Sequence, residues 1–459
     1  MSISTFHGLN TAFRGLQAQQ RALDTTSHNI ANANTEGYTR QEAVLQASDP
    51  LANASIWATV LPGQLGTGVD VAGYQRIRDQ FNDAALRQQL GQQAGAQVRQ
   101  DALKQVELTL PEPGDNGLQA LMTKFWNAWQ DVASNPENTA ARTALAQGAQ
   151  SLAAFFNTAS ASLVGQRADA DGQADSVVDD INSKAQQIAT LNDSIGKLVA
   201  VGQTPNDLLD QRDKLIDDLS ALGNVTVAYS GNNTATVTVG GLTVVDPNGA
   251  QARTRADFDN QFPASLTPTS GKLGALLDVY QNTLPHYQAR LDQLAVALHD
   301  DLNAAHAAGY GLTGTTGQRF FAGATITGAS QLAVDPAVLA DPRLIAAASS
   351  ATSGAGDSSN AMAILARRQA ISGSLGTTFD DHYSATISDL GVAAQAASRD
   401  KDTSDAVVNT LQSRRDATSG VSLDEEMANL IKFQHAYAAA GRVMSVMDQL
   451  LDTLIHIGA

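Results

Sequence analysis

The sequence contains no cysteine among its 459 residues. Disulfide bonds, thiolate metal sites and cysteine nucleophiles are therefore excluded together. Aromatic residues make up only 5% of the chain, so its core must consist mainly of Ala, Leu, Val and Ile. No segment approaches the roughly 18 consecutive apolar residues that a membrane-spanning helix requires.

Basic residues are also scarce. Lys and Arg number 29 against 46 Asp and Glu, which gives a formal net charge of −17. A chain this acidic repels phosphate and anionic lipid, so we expect neither nucleic acid nor a membrane surface as a partner. Residues 1–20 lack the basic cap and apolar block of a cleaved secretory signal. We therefore expect a cytoplasmic protein, or one exported by a route that needs no such signal.

The titratable residues form no pattern typical of catalysis. His299 and His306 could share a helix face but have no third ligand, so we interpret them as solvated helix residues. Acidic doublets such as Asp217 with Asp218 likewise predict solvated helix faces. Since no nucleophile, base and oxyanion site come together, we expect no enzymatic activity, no cofactor and no metal site.

Regular apolar spacing is present at both ends of the chain. At the N-terminus it comprises Phe6, Leu9, Phe13, Leu16, Leu23 and Ile30. Near the C-terminus it comprises Leu423, Met427, Leu430, Phe433, Tyr437, Met444, Met447, Leu451 and Leu454. Alternating steps of three and four residues are typical of coiled-coil seams. The two terminal helices are therefore predicted to pair with each other or with neighbouring copies, and these residues to form the subunit packing.

The terminal segments also carry signals for capping and for ion pairing. Ser422 followed by Glu425 predicts a capping box at the start of a helix from about 423 to 456. We expect some basic residues of the first segment to pair with acids of the last, within or between subunits. The candidates are Arg14, Arg21 and Arg40 with Asp424, Glu425, Glu426, Asp448 and Asp452.

The interior is predicted to be mostly helical. Helical patterns cover 79–110, 117–133, 138–163, 177–198, 206–222, 272–307, 360–373 and 378–416, while short β-branched runs with glycine turns lie between 224 and 270. Pro285 is expected to break the pattern at 272–307. The fold class is thus mainly α, with paired coiled-coil-type terminal helices and a long helical-bundle body with a small inserted β domain. The domains are the N-terminal arm 1–45 paired with 415–459, the body in 46–223 and 272–414, and the β insertion 224–271.

The segment 29–41, NIANANTEGYTRQ, is a helix end followed by a tight polar turn. It resembles the N-terminal motif of the flagellar rod, hook and hook-associated proteins, and 419–457 resembles their C-terminal helix. Segments 204–220 and 301–321 are similar to hook-associated members. The motif residues are Asn29, Ile30, Ala31, Asn32, Asn34, Thr35, Gly37 and Tyr38.

This resemblance implies a structural component of the bacterial flagellum that joins hook to filament. It implies secretion by the flagellar type III export apparatus in an unfolded state, followed by assembly as a ring. The implied partners are the hook protein, the next junction protein, other copies of the chain and an export chaperone that binds the C-terminal helix. Some relatives have a large β-rich outer domain after Phe321, and here that domain is expected to be reduced.

Two alternatives remain open at this point. One is another axial protein, a hook or distal rod subunit, although the long helical interior argues against it. The other is a secreted cell-wall hydrolase, which would need a converging acid or metal site that the sequence does not offer. Whether the chain is the junction protein or another axial protein, the segments 1–45 and 415–459 are predicted to be mobile in the isolated subunit and helical in the assembly.

Overall fold

A computed structural model describes residues 6–50 and 66–457. The predicted mainly α fold is confirmed across these ranges. None of the helices described there combines the length and the hydropathy that a bilayer span needs.

The α-helices account for most of the described chain. They are α1 (His7–Ala31), α2 (Gln80–Thr109), α3 (Leu118–Ser134), α4 (Thr139–Ala200), α5 (Asn206–Leu222), α6 (Arg255–Asp259), α7 (Gly271–Asp278), α8 (Leu284–Ala308), α9 (Pro336–Ala340), α10 (Ser359–Ala366), α11 (Phe379–Ser419) and α12 (Leu423–Ile457).

The strands form two antiparallel sheets. The first pairs β1 (Gln41–Ala47) with β2 (Val69–Arg76) as a two-stranded ribbon, with a register shift between Val44 and Leu45. The second has the order β3-β4-β5-β6 and comprises β3 (Val225–Tyr229), β4 (Ala235–Val239), β5 (Leu242–Asp246) and β6 (Gly249–Ala250).

The chain divides into two compact units. Unit 1 combines Met1–Leu90, Asp180–Arg253 and Asp405–Ala459, and unit 2 combines Gly91–Asp179 with Thr254–Ser404. Unit 1 therefore contains both terminal helices, the ribbon, α5 and the four-stranded sheet. Unit 2 contains α3, α6 to α10 and parts of α2, α4 and α11.

The ribbon was not predicted, since the sequence analysis placed residues 1–45 in the N-terminal arm and 46–223 in a helical body, with no strand in either. The segment QEAVLQA is composed largely of good helix formers, and local propensity therefore favours helix there. Pairing with β2 and packing beside α1 decide its conformation instead. The β-branched runs between 224 and 270 do form a sheet, but it ends at Ala250, before α6.

Of two predicted interruptions in the helices, one is absent and one is present, each for an identifiable reason. The patterns at 138–163 and 177–198 belong to one helix, α4, because the polar segment between them contains Gly172 but no proline. Pro285 does mark a break, as predicted. Pro285 has no backbone N–H and therefore cannot donate a hydrogen bond to the preceding helical turn. That turn, Val279–Thr283, is π-helical, and α8 begins directly after it.

The core of unit 2 contains an aromatic cluster. It consists of Phe125, Trp126, Trp129, Phe320, Phe321 and Phe379, all at most 1% exposed. The cluster is locked by α8, because Asn303 Oδ1 accepts hydrogen bonds from the backbone N–H groups of Phe320 at 2.9 Å and Phe321 at 2.8 Å. These six aromatic side chains bury a large area and so stabilise this unit.

The two α8 histidines are buried, so their interpretation as solvated residues was wrong. His299 is 1% exposed and His306 is fully buried. His306 Nδ1 donates to Gln318 O at 2.7 Å, while Nε2 accepts from the Ala346 N–H at 2.9 Å. This arrangement requires a neutral imidazole. Burial lowers the pKa of His306 to about 4, the Gln318 bond opposes that effect in part, and nearby Arg142 adds to it.

We predict an acid-dependent loss of stability in unit 2. His306 is charged below about pH 6.5 in the unfolded chain but remains neutral in the fold to about pH 4. The unfolded state therefore binds more protons in this window. The free energy of unfolding should fall by roughly 3 kcal/mol as the pH drops through it.

Urea unfolding followed by tryptophan fluorescence at pH 7, 5.5 and 4.5 measures this loss, since Trp126 and Trp129 lie in the same core. The His306→Asn variant should show a weaker pH dependence than the wild type. The matched control is His435→Asn on exposed α12, which should keep the wild-type dependence. Equal pH profiles for all three proteins would contradict the assignment.

Candidate functional site

The two terminal helices pack against each other within one chain and form a terminal hairpin of α1 and α12. They run antiparallel, because Gly8 at the start of α1 meets Met447 near the end of α12, whereas Asn29 meets Glu426 at its beginning. A Cβ added at Gly8 would lie 2.9 Å from Met447 Cε, so this position permits the close approach of the helices.

The predicted packing residues are only partly covered in this hairpin. Those of intermediate burial are Leu9, Leu16, Leu23, Ile30, Leu430, Phe433, Met444, Met447 and Leu451. Those that stay exposed are Phe6, Phe13, Leu423, Met427 and Tyr437. The side chain of Leu454 lies outside the described residues. The positions of α1 that are fully buried are small or polar instead, namely Ala12, Ala18, Ala22, Thr25, Thr26 and Asn29.

A second set of apolar residues on α12 was missed by the sequence analysis. Val443, Val446 and Leu450 are spaced as i, i+3 and i+7, so they share one helix face, which we call the end patch. Leu450 is 54% exposed and Val446 is 53% exposed. The spacing could have revealed the patch, but it is out of phase with the longer seam that α1 partly covers. An apolar helix face left in water is typical of a surface that binds another protein.

The two ends are joined by a group of five residues, the terminal clamp: Asn29, Tyr38, Arg40, Gln41 and Glu426. Asn29 is 1% exposed and stands at its centre. Its Nδ2 donates to Gln41 O at 2.9 Å and to Glu426 Oε2 at 3.1 Å. Its Oδ1 accepts from the Tyr38 hydroxyl at 2.8 Å and from the Gln41 N–H at 3.0 Å. One amide thus links α1, β1, α12 and the segment 32–40 between α1 and β1, which we call the motif loop.

Arg40 adds charge pairing to the clamp. Its guanidinium lies 2.7 Å from Glu425 Oε2 and 2.9 Å from Glu426 Oε1. The backbone N–H of Arg40 donates to Ser419 O at 2.9 Å. The predicted ion pairing between the two ends is confirmed for Arg40. Arg14 pairs instead with Asp70 of the ribbon, at 3.2 Å.

The motif loop is shaped by Gly37 and Tyr38. Gly37 has φ of +80°, and a Cβ at that position would lie 3.2 Å from Lys214 Cβ, so glycine suits both the conformation and the space. Burial, followed by the nearby carboxylates of Asp207 and Asp210, raises the pKa of Tyr38. Its hydroxyl therefore stays protonated and continues to donate to Asn29.

The other motif residues have smaller roles. Asn32 closes the end of α1, where its side chain donates to His28 O at 3.0 Å, and Thr35 donates to Asn32 Oδ1 at 3.2 Å. Ala31 and Asn34 are exposed, and Ile30 is partly buried. Within the motif, the structure thus concentrates the polar linkage on Asn29 and Tyr38.

Helix α5 holds the motif loop and the ribbon through one face of carboxylates, the acid face: Asp207, Asp210, Asp213 and Asp217. Asp210 accepts from the Thr39 N–H at 2.9 Å, and Asp207 accepts from Gln41 Nε2 at 2.8 Å. Arg76 of β2 lies 2.8 Å from both Asp210 and Asp213. The loop and the ribbon therefore rest on α5 through charged hydrogen bonds.

The far end of the acid face joins two more helices. Asp217 accepts from Arg87 of α2 at 2.6 Å and from Arg415 of α11 at 2.8 Å. The prediction that Asp217 is solvated was therefore wrong, since it is 8% exposed and paired twice. Burial alone would raise the pKa of Asp213, but Arg78 and Arg76 outweigh it and hold that pKa below its usual value. The regular spacing of acids along 206–222 was the available signal for this face.

The arrangement is suited to fastening rather than to chemistry. Three carboxylates of the acid face, Asp210, Asp213 and Asp217, are paired with arginines, and the clamp contains no nucleophile beside a base. In residues 6–50 and 66–457, no group of three His, Cys, Asp or Glu side chains could hold a metal ion.

Comparison with known proteins bears on all parts of the chain. The family described as flagella basal body rod protein matches residues 9–39, and the flagellar basal body rod FlgEFG protein C-terminal family matches 412–457. The FlgK helical domain of flagellar hook-associated proteins matches 103–321. Both halves of the terminal hairpin thus lie in segments that match families of flagellar rod proteins.

Full-length relatives agree with these matches. Flagellar hook-associated protein 1 of Bacillus subtilis is 34% identical over 503 aligned positions, which cover 99% of this chain and 98% of that protein. Its namesake from Escherichia coli is 29% identical over 553 positions, covering 98% and 99%. Both alignments are longer than the 459 residues of this chain, so both relatives contain segments that it lacks.

A solved structure supports the fold. The flagellar hook junction protein FlgK from Burkholderia pseudomallei matches with a TM-score of 0.62 at 18% identity, covering 72% of this chain and 99% of that one. The chain belongs to the flagellar hook-associated protein 1 family, FlgK. It is a structural flagellar protein and not an enzyme, and neither the hook or rod alternative nor the hydrolase alternative gains support from these matches.

We predict that Asn29→Asp opens the terminal hairpin. The new carboxylate would face Glu426 and Gln41 O, where an amide now donates, so two hydrogen bonds become repulsive contacts. The cost should exceed about 2 kcal/mol, because the buried partners are left unsatisfied. Hydrogen exchange of the α1 and α12 amides at pH 7 measures the effect. Asn34→Asp, an exposed position of the same motif, should leave exchange unchanged, and equal protection in both variants would contradict the role of Asn29.

Proposed function

We propose that this chain is the subunit that joins the flagellar hook to the filament, assembled there as a ring of copies. The observation that carries the proposal is the terminal hairpin, which is fastened by the clamp but leaves apolar side chains of both helices in water. The names of the relatives, hook-associated and hook junction protein, support the same position.

The apolar side chains that stay exposed on the terminal hairpin give assembly a favourable free energy. Burying a Val, Leu or Phe side chain is worth about 1.5–3 kcal/mol. Phe6 just before α1, Phe13 of α1 and the end patch of α12 are about half exposed in a single copy. Packing of hairpins from adjacent subunits would bury several of these side chains at once and so reward assembly over the isolated state.

The proposed neighbours are the hook protein on one side, the next hook-associated protein on the other, and further copies within the ring. We propose the 1–45 and 415–459 segments as the axial domain that makes these contacts, together with the predicted packing residues. Export in an unfolded state through the type III apparatus is consistent with the absence of cysteine, because no disulfide can form in transit.

Binding to isolated hooks tests this function. We expect the wild-type protein, seen by labelled electron microscopy, at one end of purified hooks. Val443→Asp with Leu450→Asp places two charges on the end patch and should reduce the labelled ends at least tenfold. Ser445→Asp on another face of α12 is the matched control and should bind as the wild type does. Absence of wild-type protein from hook ends would contradict the proposed position.

We further propose that an export chaperone binds the C-terminal helix before secretion. Met444, Met447 and Leu451 are partly buried in the hairpin, and Met447 contacts Gly8 of α1. A chaperone groove would take the place of α1 against this seam, and methionine adapts readily to two different partners.

Deletion of 420–459 should abolish chaperone binding, because the whole seam is removed. Met444→Asp with Leu451→Asp should weaken chaperone binding and hook binding together, since one seam serves both. Titration of purified chaperone followed by calorimetry measures the affinity. Undiminished affinity of the truncated protein would place the chaperone site elsewhere.

A further inference from the structure

One long surface of unit 2 carries no charge. From Thr143 to Gln166, α4 contains no Asp, Glu, Lys, Arg or His. Most of its solvent-exposed positions there follow steps of three and four residues, as one helix face does. One such face comprises Ala144, Gln147, Ser151, Ala154, Thr158, Ala161 and Gly165, and the other exposed positions of this stretch, Thr143, Gln150, Ser162 and Val164, are also uncharged.

A groove runs beside this face, between α4 and the second half of α2. It has a volume of about 320 Å³ and is lined by neutral residues only, among them Leu108, Phe155, Thr158 and Ser162. Leu108 is 69% exposed, which is unusual for a leucine on a folded helix, and Phe155 is partly buried. The groove therefore offers apolar side chains that another helix could cover.

We propose that this charge-free face of α4, with the groove beside it, is a contact between neighbouring copies of the chain. This inference rests on the proposed ring and gives it a second surface, apart from the terminal hairpin. The charge of the chain selects the occupant. Each copy has a net charge of −17, so two copies repel each other unless they meet where acidic groups are absent.

A partner with a basic surface would instead be drawn to the acidic residues elsewhere and would gain nothing from this face. The small side chains let a second helix approach closely, because the distance between packed helices depends on the side chains at the contact. Covering Leu108 and Phe155 would then add apolar burial to a contact that costs no desolvation of charge.

Charge insertion tests the contact. Ala154→Glu with Thr158→Glu places two carboxylates on the face, at exposed positions that leave the core untouched. The number of copies bound per hook end should fall at least tenfold. The matched control is Ala385→Glu with Ser388→Glu on exposed positions of α11 in the same unit, which should bind like the wild type. Equal copy numbers for the two variants would overturn the inference.

A photocrosslinker identifies the occupant without disturbing the charge. With p-benzoylphenylalanine at position 161 of the full chain, irradiation should give a covalent dimer of this 47.9 kDa chain. The experiment is run on decorated hooks and on concentrated protein without hooks. No dimer in either sample, or a product that contains hook protein, would overturn the contact. Wild-type protein that forms the dimer but ignores hooks would contradict the proposed function alone.

Discussion

A single buried amide, that of Asn29, fixes the relation between the two ends of this chain. Its four hydrogen bonds reach α12, β1 and the motif loop, and each bond uses a different direction of the side chain. An aspartate has the same shape but cannot donate, and an apolar residue could make none of these bonds. The close helix contact at Gly8 and the ion pairs of Arg40 occur in the same register of the two ends.

The acid face of α5 extends the same principle by charge. Four carboxylates along one helix receive the loop, the ribbon, α2 and α11, so polar contacts make the junctions within unit 1. Such contacts demand a particular geometry, whereas apolar packing tolerates several. Unit 2 is built the opposite way, around buried aromatic rings held by Asn303 and His306. The junctions of unit 1 described above are thus made by directional bonds, whereas the described core of unit 2 combines packed aromatic volume with a few such bonds.

The sequence analysis succeeded where structure follows from local spacing. The terminal helices, α5 and the break at Pro285 were all predicted from apolar periodicity, capping or the missing N–H of proline. It failed where a partner distant in sequence decides. The segment of β1 has the composition of a helix, and its pairing with β2 makes it a strand. His306 was interpreted as solvated because the sequence does not show that Gln318 and Ala346 satisfy its ring in the core. Asp217 belongs to an acidic doublet of the kind found on solvated faces, but two arginines pair with it. The family resemblance located the motif, but only the structure shows that Asn29 makes most of its polar contacts.

The distance along the chain between the two clamp partners has a consequence for synthesis and transit. Asn29 and Glu426 are 397 positions apart, and their hydrogen bond closes nearly the whole polypeptide into one loop. The entropic cost of closing such a loop rises only slowly with its length, so closure of a long chain costs little more than closure of a shorter one. The bond cannot form, however, until the last helix has emerged. A chain that stops before Glu426 would leave the Asn29 amide without this acceptor, so closure of the loop requires nearly all of the polypeptide to be present.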